Sequence, residues 1–203
     1  VHEASTPEMD FDLTVKTPDP GKTKIKEEWV DLPDGRIVRK RLTGMIFLFG
    51  QGENLAVGPC LENSNQVVNF INNRFIEWQL NRGCLLGHAA AVTHGGRGIS
   101  LAGFSGMGKS TLALHIMSKG AVFVSNDRIM VQEDNQGLVM HGVAKQPRIN
   151  PGTALNNPDL EGIIEPENLE RFKSLSPEEL WQLEHKYDAL IQECYGPDRF
   201  ILT

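Results

Sequence analysis

"SLAGFSGMGKSTLALHIMSKGAVFVSND", residues 100–127, decides how this chain folds. An apolar strand over Ile99 to Ala102 runs into a glycine turn, an amphipathic helix from Lys109 to Lys119 follows, and a second apolar strand, Ala121 to Ser125, ends on Asn126-Asp127. The turn Gly103-Phe-Ser-Gly-Met-Gly-Lys109-Ser110 satisfies G-x-x-x-x-G-K-[ST] in the strand-to-helix setting that motif requires. Its glycines let successive backbone N–H groups converge on phosphate oxygens, and the helix N-terminus adds positive partial charge. Gly103, Ser105, Gly106, Met107, Gly108, Lys109, Ser110 and Thr111 are therefore the expected phosphate-binding residues. Lys109 would reach the β- and γ-phosphates, and the Ser110 hydroxyl would take one position on a magnesium ion. The competing reading is a glycine-rich turn that binds nothing.

Two more groups are expected to converge on this turn. The strand after the helix is reached by a right-handed crossover and so runs parallel to the first. Ligands in such sheets lie beyond the carboxyl ends of the strands. Asn126 and Asp127 fall there, which makes Asp127 a candidate metal-holding carboxylate; the alternative is an aspartate that only caps a turn. Upstream, "HAAAVTHGGRGISLAG" (88–103) reads as a hairpin centred on Gly96-Arg97. With Gly95 paired to Gly98, His88 lies opposite position 105, inside the glycine turn. Its imidazole would act there as metal ligand, acid/base group or phosphate donor, unless a one-residue slip turns it to the other face.

Working outward, residues 28 to 58 give two hairpins: Trp29 to Leu32 with Arg36 to Arg41 about "PDG", and Met45 to Phe49 with Asn54 to Val57 about "GQGE". Asn63 to Leu80 has helical apolar spacing and a capping signal. Pro166 to Lys173 and Pro177 to Cys194 read as two more helices, the second with a Ser176 capping box and a stripe of Trp181, Leu183, Tyr187, Leu190 and Ile191 that suits a core or an interface. The predicted organisation is a lead-in over 1–27, mobile apart from a strand at Phe11 to Val15, a domain over 28–155 and a helical segment over 156–203. The final "RFILT" enters a strand and stops, as in a piece of a longer protein. Asp134-Asn-Gln-Gly137 matches a GTPase DxxG formally but reads as a hairpin turn.

Bulk properties set the frame. The chain has 203 residues, 40% hydrophobic and 23% charged, enough to bury a core. A net charge of −6 without a dense basic face argues against a nucleic-acid or membrane binder. Three cysteines without CxxC spacing suggest neither a disulfide framework nor a zinc knuckle. No apolar run approaches the ~20 residues that span a bilayer. A cytoplasmic setting is the expectation.

The upstream His88, the "GFSGMGKS" turn, the helix ending in "KG" and the two-residue step at 126–127 together resemble the catalytic domain of HPr kinase/phosphorylase and its related kinases, and more distantly phosphoenolpyruvate carboxykinase. The resemblance covers Leu85 to Asp127 and continues loosely through "KQPRINPG". It implies an α/β fold: a P-loop-containing central mixed sheet of the HPr kinase/carboxykinase type with flanking helices, here with an N-terminal β-rich part. It further implies ATP and Mg²⁺ as cofactors, a protein or small-molecule phosphoacceptor, and a homo-oligomer. By position, His88, Lys109, Asn126 and Asp127 are the catalytic candidates, with Ser110 and Asp127 on the metal. One position departs from the pattern. Where those enzymes have a first aspartate as base, this chain has Asn126, and an amide cannot take a proton.

That departure leaves two readings open. In a kinase, His88 would serve as base or Asn126 would orient the nucleophile, because phosphoryl transfer depends mostly on positioning and charge stabilisation. Otherwise the chain is a nucleotide-binding regulator without turnover. A carboxykinase-like activity fits less well, because no anion-binding arginine cluster precedes the turn. Arg128, Lys145 and Arg148 are candidates for stabilising a transferring phosphoryl group, against the ordinary reading as solvated loop cations.

Overall fold

The computed structural model describes residues 1–5, 15–17, 25–135 and 137–201, and its chain divides into two units, Val1–Arg74 and Phe75–Thr203. It is a mixed α/β protein with four sheets and six α-helices among the described residues. None of those helices is long and apolar enough to cross a membrane.

The first unit carries β1 (His2–Glu3), β2 (Glu27–Leu32), β3 (Gly35–Lys40), β4 (Ile46–Gly50), β5 (Asn54–Gly58) and the start of α1 (Ser64–Asn81). Its sheet has the order β1-β5-β4-β3-β2. Both expected hairpins are present. Register in the first follows charge: Glu27 stands opposite Lys40, Glu28 opposite Arg39 and Asp31 opposite Arg36, and all three pairs form ion pairs. The unit's core is aromatic. Phe70 of α1 meets Phe47 at a ring distance of 5.0 Å and Phe49, edge-on, at 4.9 Å. In the lead-in, His2–Glu3 pair in parallel with β5 and Lys16 bridges Trp29. The strand expected over Phe11 to Val15 lies outside the described residues, Val15 excepted.

The second unit continues with β6 (Leu85–Gly87), β7 (Ala89–His94), β8 (Arg97–Ala102), α2 (Lys109–Met117), β9 (Val122–Ser125), β10 (Ile129–Asp134) and β11 (Gly137–Gly142). Then come β12 (Arg148–Ile149), α3 (Pro151–Leu155), α4 (Pro166–Lys173), α5 (Pro177–Gln182), β13 (Tyr187–Asp188) and α6 (Ile191–Tyr195). β7 lies between β8 and β9 and is antiparallel to both, so β8 and β9 run in the same direction, as the crossover argument requires. Alanines suit β7 to this central place, because both its faces are covered. Ala90 and Val92 pack with Ala113, Leu114 and Met117 of α2, while Ala89 and Ala91 pack with Val124 and Ile129 on the other side. β10 and β11 form the expected hairpin with Asp134 opposite Gly137, which disposes of the DxxG match.

Two expectations need correction. The β7–β8 turn centres on Gly95-Gly96, with His94 opposite Arg97, not on Gly96-Arg97. Both glycines have positive φ, 56° and 74°, the pattern of a tight two-residue hairpin turn. The register therefore moves by two residues. The ladder ends with Ala89 opposite Ala102, which brings His88 beside Gly103 and not position 105. An even shift preserves the face, so His88 stays on the same side of the strand as Ala90 and Val92.

The second correction concerns Pro177 to Cys194, which is not one helix. The capping box at Ser176 and Glu179 starts α5 as expected, but Leu183 is extended and Tyr187–Asp188 pair with Arg148–Ile149 instead. Tertiary burial overrides helical spacing here. Breaking the helix buries Tyr187, Ala189 and Ile191, and the Tyr187 hydroxyl donates to the Glu165 carboxylate at 2.8 Å. Near the end of the chain Phe200 bridges Phe123 in parallel and stacks on its ring.

Candidate functional site

The pairing pattern of the second unit contains a gap, and the candidate site forms in it. β6–β7 and β9–β10 act as two long antiparallel stretches whose pairing is interrupted midway. Ala91 pairs with Ser125 on one side of the gap and Gly87 with Ile129 on the other, in one register. His88, Ala89 and Ala90 therefore face Asn126, Asp127 and Arg128 without ladder bonds between them. β6 belongs to the sheet β11-β10-β6 and β7 to β8-β7-β9, so both segments change sheets at this seam. Freed from pairing, Asp127 adopts a left-handed backbone with φ 85°, the only non-glycine to do so among the described residues. Aspartate tolerates that region better than most side chains, and such strain collects at functional sites. Ser125 anchors the seam: its buried hydroxyl lies 2.5 Å from the Arg128 carbonyl and accepts from the Val143 N–H at 3.2 Å.

The result is a short charged chain. His88 Nδ1 stands 3.3 Å from Asp127 Oδ1, and Lys145 Nζ donates to Asp127 Oδ2 at 3.3 Å. The contact to the carboxylate is made through Nδ1, which leaves Nε2 as the other ring nitrogen. Asp127 is one-third exposed, partly shielded from solvent, and His88 is more open at 59%.

The glycine turn supplies the opposing wall. Gly106 and Gly108 have φ of 82° and 77°, and Gly108 caps α2, whose first turn contains no acidic residue to offset its positive end. Lys109 Nζ donates to the carbonyls of Gly103 at 2.9 Å and Phe104 at 3.1 Å, which holds the ammonium across the turn. At its other end α2 is clamped. The Tyr195 hydroxyl donates to Leu114 O at 3.1 Å, and the Arg199 guanidinium donates to the carbonyls of Met117 and Ala121. A cation on the last carbonyls complements the helix dipole and steadies the element that carries Lys109.

A cleft of about 220 Å³ joins these pieces. His88, Lys109, Ser110 and Asp127 all line it, as do Ser105, Gly106, Gly108 and Thr111 of the turn. Gly103, Met107 and Asn126 do not. Met107 is 68% exposed, and Asn126 is buried, its Oδ1 without a hydrogen-bond partner among the described residues. Of the candidate cations, Arg148 lines the cleft and Lys145 reaches it through Asp127, whereas Arg128 is exposed outside it.

Three lining residues carry no clear signal in the sequence. Trp181 stands beside the turn, where a Cβ on Gly106 would meet its ring at 3.6 Å, although helical spacing assigns it to a core or interface. Lys186 and Thr153 enter only because the chain breaks after α5 and because the short α3 packs there. Thr153 Oγ1 lies 2.9 Å from Thr111 Oγ1. The one local hint of Thr153 is Asn150-Pro151, a capping residue before a helix-starting proline, and Asn150 does cap Thr153 N at 2.9 Å.

Chemically the cleft combines an ammonium and a helix N-terminus for an anion with a hydroxyl and a carboxylate for a cation. Among the described residues no cluster of three His, Cys, Asp or Glu side chains forms a metal cage. Ser110 and Asp127, which line the cleft together, are the side chains that would hold a hard cation there. Compared with family models, curated proteins and solved structures, the chain matches none.

Proposed function

We propose that the protein is an ATP-dependent kinase of the HPr-kinase-related type, with the corresponding P-loop kinase fold in its second unit, moving the γ-phosphoryl group to a hydroxyl on a protein or small-molecule acceptor. One observation carries the reading: the His88–Asp127 pair and the Lys109–Ser110 turn line a single cleft. Lys109 would hold the β- and γ-phosphate oxygens, and Ser110 with Asp127 would hold Mg²⁺, which neutralises phosphate charge when bound. Lys145, which donates to Asp127 Oδ2, would have to share that carboxylate with the ion. His88, oriented through Nδ1 by Asp127, takes the acceptor's proton at Nε2 while the acceptor oxygen bonds to phosphorus and the bond to the departing ADP breaks. His88 thus replaces the base that Asn126 cannot be. A proton acceptor contributes about 10²–10⁴-fold, so His88→Ala lowers transfer by that factor while nucleotide binding persists.

A second reading, a nucleotide-binding regulator without turnover, is favoured by Asn126, which is buried and outside the cleft. Incubation with γ-labelled ATP, Mg²⁺ and a cell extract separates the two. A labelled acceptor whose labelling falls with His88→Ala supports the kinase. Nucleotide binding with no label transferred under any metal condition refutes it and leaves the regulator, for which Asn126→Asp is then the variant to assay for gained activity.

A further inference from the structure

A second cavity of about 530 Å³ opens beside the phosphate cleft and shares four of its residues: Thr111, Asn150, Thr153 and Trp181. His88, Lys109, Ser110 and Asp127 line the cleft alone. The cleft therefore has a direction, with a His88–Asp127 end and a Thr111–Thr153 end. In a turn of this sequence the lysine reaches the β- and γ-phosphates, while the loop's backbone N–H groups cradle the α- and β-phosphates. A triphosphate laid along it with its γ-phosphate by His88 points its ester end at Thr111. The group esterified to the α-phosphate must then enter the second cavity.

That cavity has the chemistry of a nucleoside site. Its far wall is apolar, made by Leu155, Phe172, Leu175, Pro177 and Leu180, and its volume falls in the range of small-molecule pockets. Trp181 borders both spaces with 61% of its surface exposed. An indole beside the glycine turn, its ring 3.6 Å from where a Cβ on Gly106 would sit, offers a flat π-face on which a base can stack. The residue is held in place from two sides: the Ser176–Glu179 capping box pins the start of α5, and buried Leu180 anchors the adjacent position.

We propose that this cavity is the nucleoside site and that Trp181 is the stacking platform for the base; the proposal rests on the nucleotide reading above. The acceptor then approaches from the opposite, His88–Asp127 end. Base stacking on an aromatic side chain changes affinity by about ten- to hundredfold.

Titration calorimetry of the full chain with Mg²⁺ tests this, using ATP and inorganic tripolyphosphate as the two ligands and Trp181→Ala, Trp181→Phe and Lys109→Ala as variants. The unchanged chain should bind ATP roughly ten- to hundredfold more tightly than tripolyphosphate. Trp181→Ala should erase that margin without altering tripolyphosphate affinity, Trp181→Phe should retain most of it, and Lys109→Ala should weaken both ligands. ATP should also quench tryptophan emission in a way that Trp181→Phe abolishes and tripolyphosphate does not reproduce. ATP affinity untouched by Trp181→Ala, or both ligands weakened equally by it, overturns the stacking role while the phosphate site stands. Failure of the unchanged chain to bind either ligand overturns the nucleotide reading and the stacking proposal together.

Discussion

The two units solve the burial of polar groups in opposite ways. In Val1–Arg74 charge is neutralised across the strands of a hairpin sheet, Glu28 by Arg39 and Asp31 by Arg36, over an aromatic core of Phe47, Phe49 and Phe70. Asn72 is the buried polar side chain there among the described residues. The second unit takes several inside. Ser125, Asn126, Thr153 and Asn157 are all buried in it, three of them in or beside the seam and the cleft. Buried polar groups cost stability unless bonded, so a protein retains them where geometry matters more than stability. The contrast separates a region whose polar groups pair across strands from one that holds them in its interior beside a cleft.

Substitutions in each unit put that contrast at risk. Phe70→Ala removes a ring 6% exposed and should cost about 3–5 kcal/mol in denaturant unfolding. It should leave nucleotide affinity of the folded protein unchanged, since every residue lining the cleft belongs to the second unit. A matching loss of affinity would mean that the aromatic core supports the site. Lys109→Ala should do the reverse: nucleotide affinity falls roughly ten- to hundredfold by calorimetry, while the melting temperature holds.

Alkaline titration probes the second unit selectively, because both of the chain's tyrosines, Tyr187 and Tyr195, lie in it. Burial pushes each hydroxyl up to about 12, with the Glu165 carboxylate reinforcing the shift at Tyr187. A raised folded value means that the unfolded chain releases the proton first. The stabilisation is therefore complete below the ordinary tyrosine value near 10 and is lost as pH rises through 12. Tyrosinate absorbance followed alongside circular dichroism should show the release of Tyr195 from Leu114 coinciding with loss of α2; ionisation near 10 with the helix intact would contradict the clamp. The smallest effect belongs to Ser176→Ala, which removes the α5 cap and should cost about 1 kcal/mol. A shift in ATP affinity larger than the stability loss would show that α5 orientation governs the cleft through Trp181.

Legibility in the sequence tracks the reach of each interaction. The hairpins of the first unit, α1, the glycine turn and the strand after α2 are legible because each depends on neighbours in sequence. The β7–β8 turn is ambiguous by one position because three consecutive candidates, Gly95, Gly96 and Arg97, fit a short turn; the two positive-φ glycines decide it. His88 keeps its face either way, since the difference in register is even. The break after α5 is not legible, because it depends on Tyr187–Asp188 finding Arg148–Ile149, and helical spacing carries no trace of a partner that distant. The places of Trp181 and Lys186 on the cleft are hidden with it.

The left-handed backbone at Asp127 also limits how this site can change. Only glycine, asparagine and aspartate enter that conformation readily, so the position admits a short acid, its neutral amide, or nothing at all. Lengthening the side chain to glutamate, the usual way to shift a carboxylate by an ångström or so, would require the turn itself to be rebuilt. Tuning therefore falls to the histidine and lysine that flank it, and substitutions that retune the site without dismantling it should gather at 88 and 145.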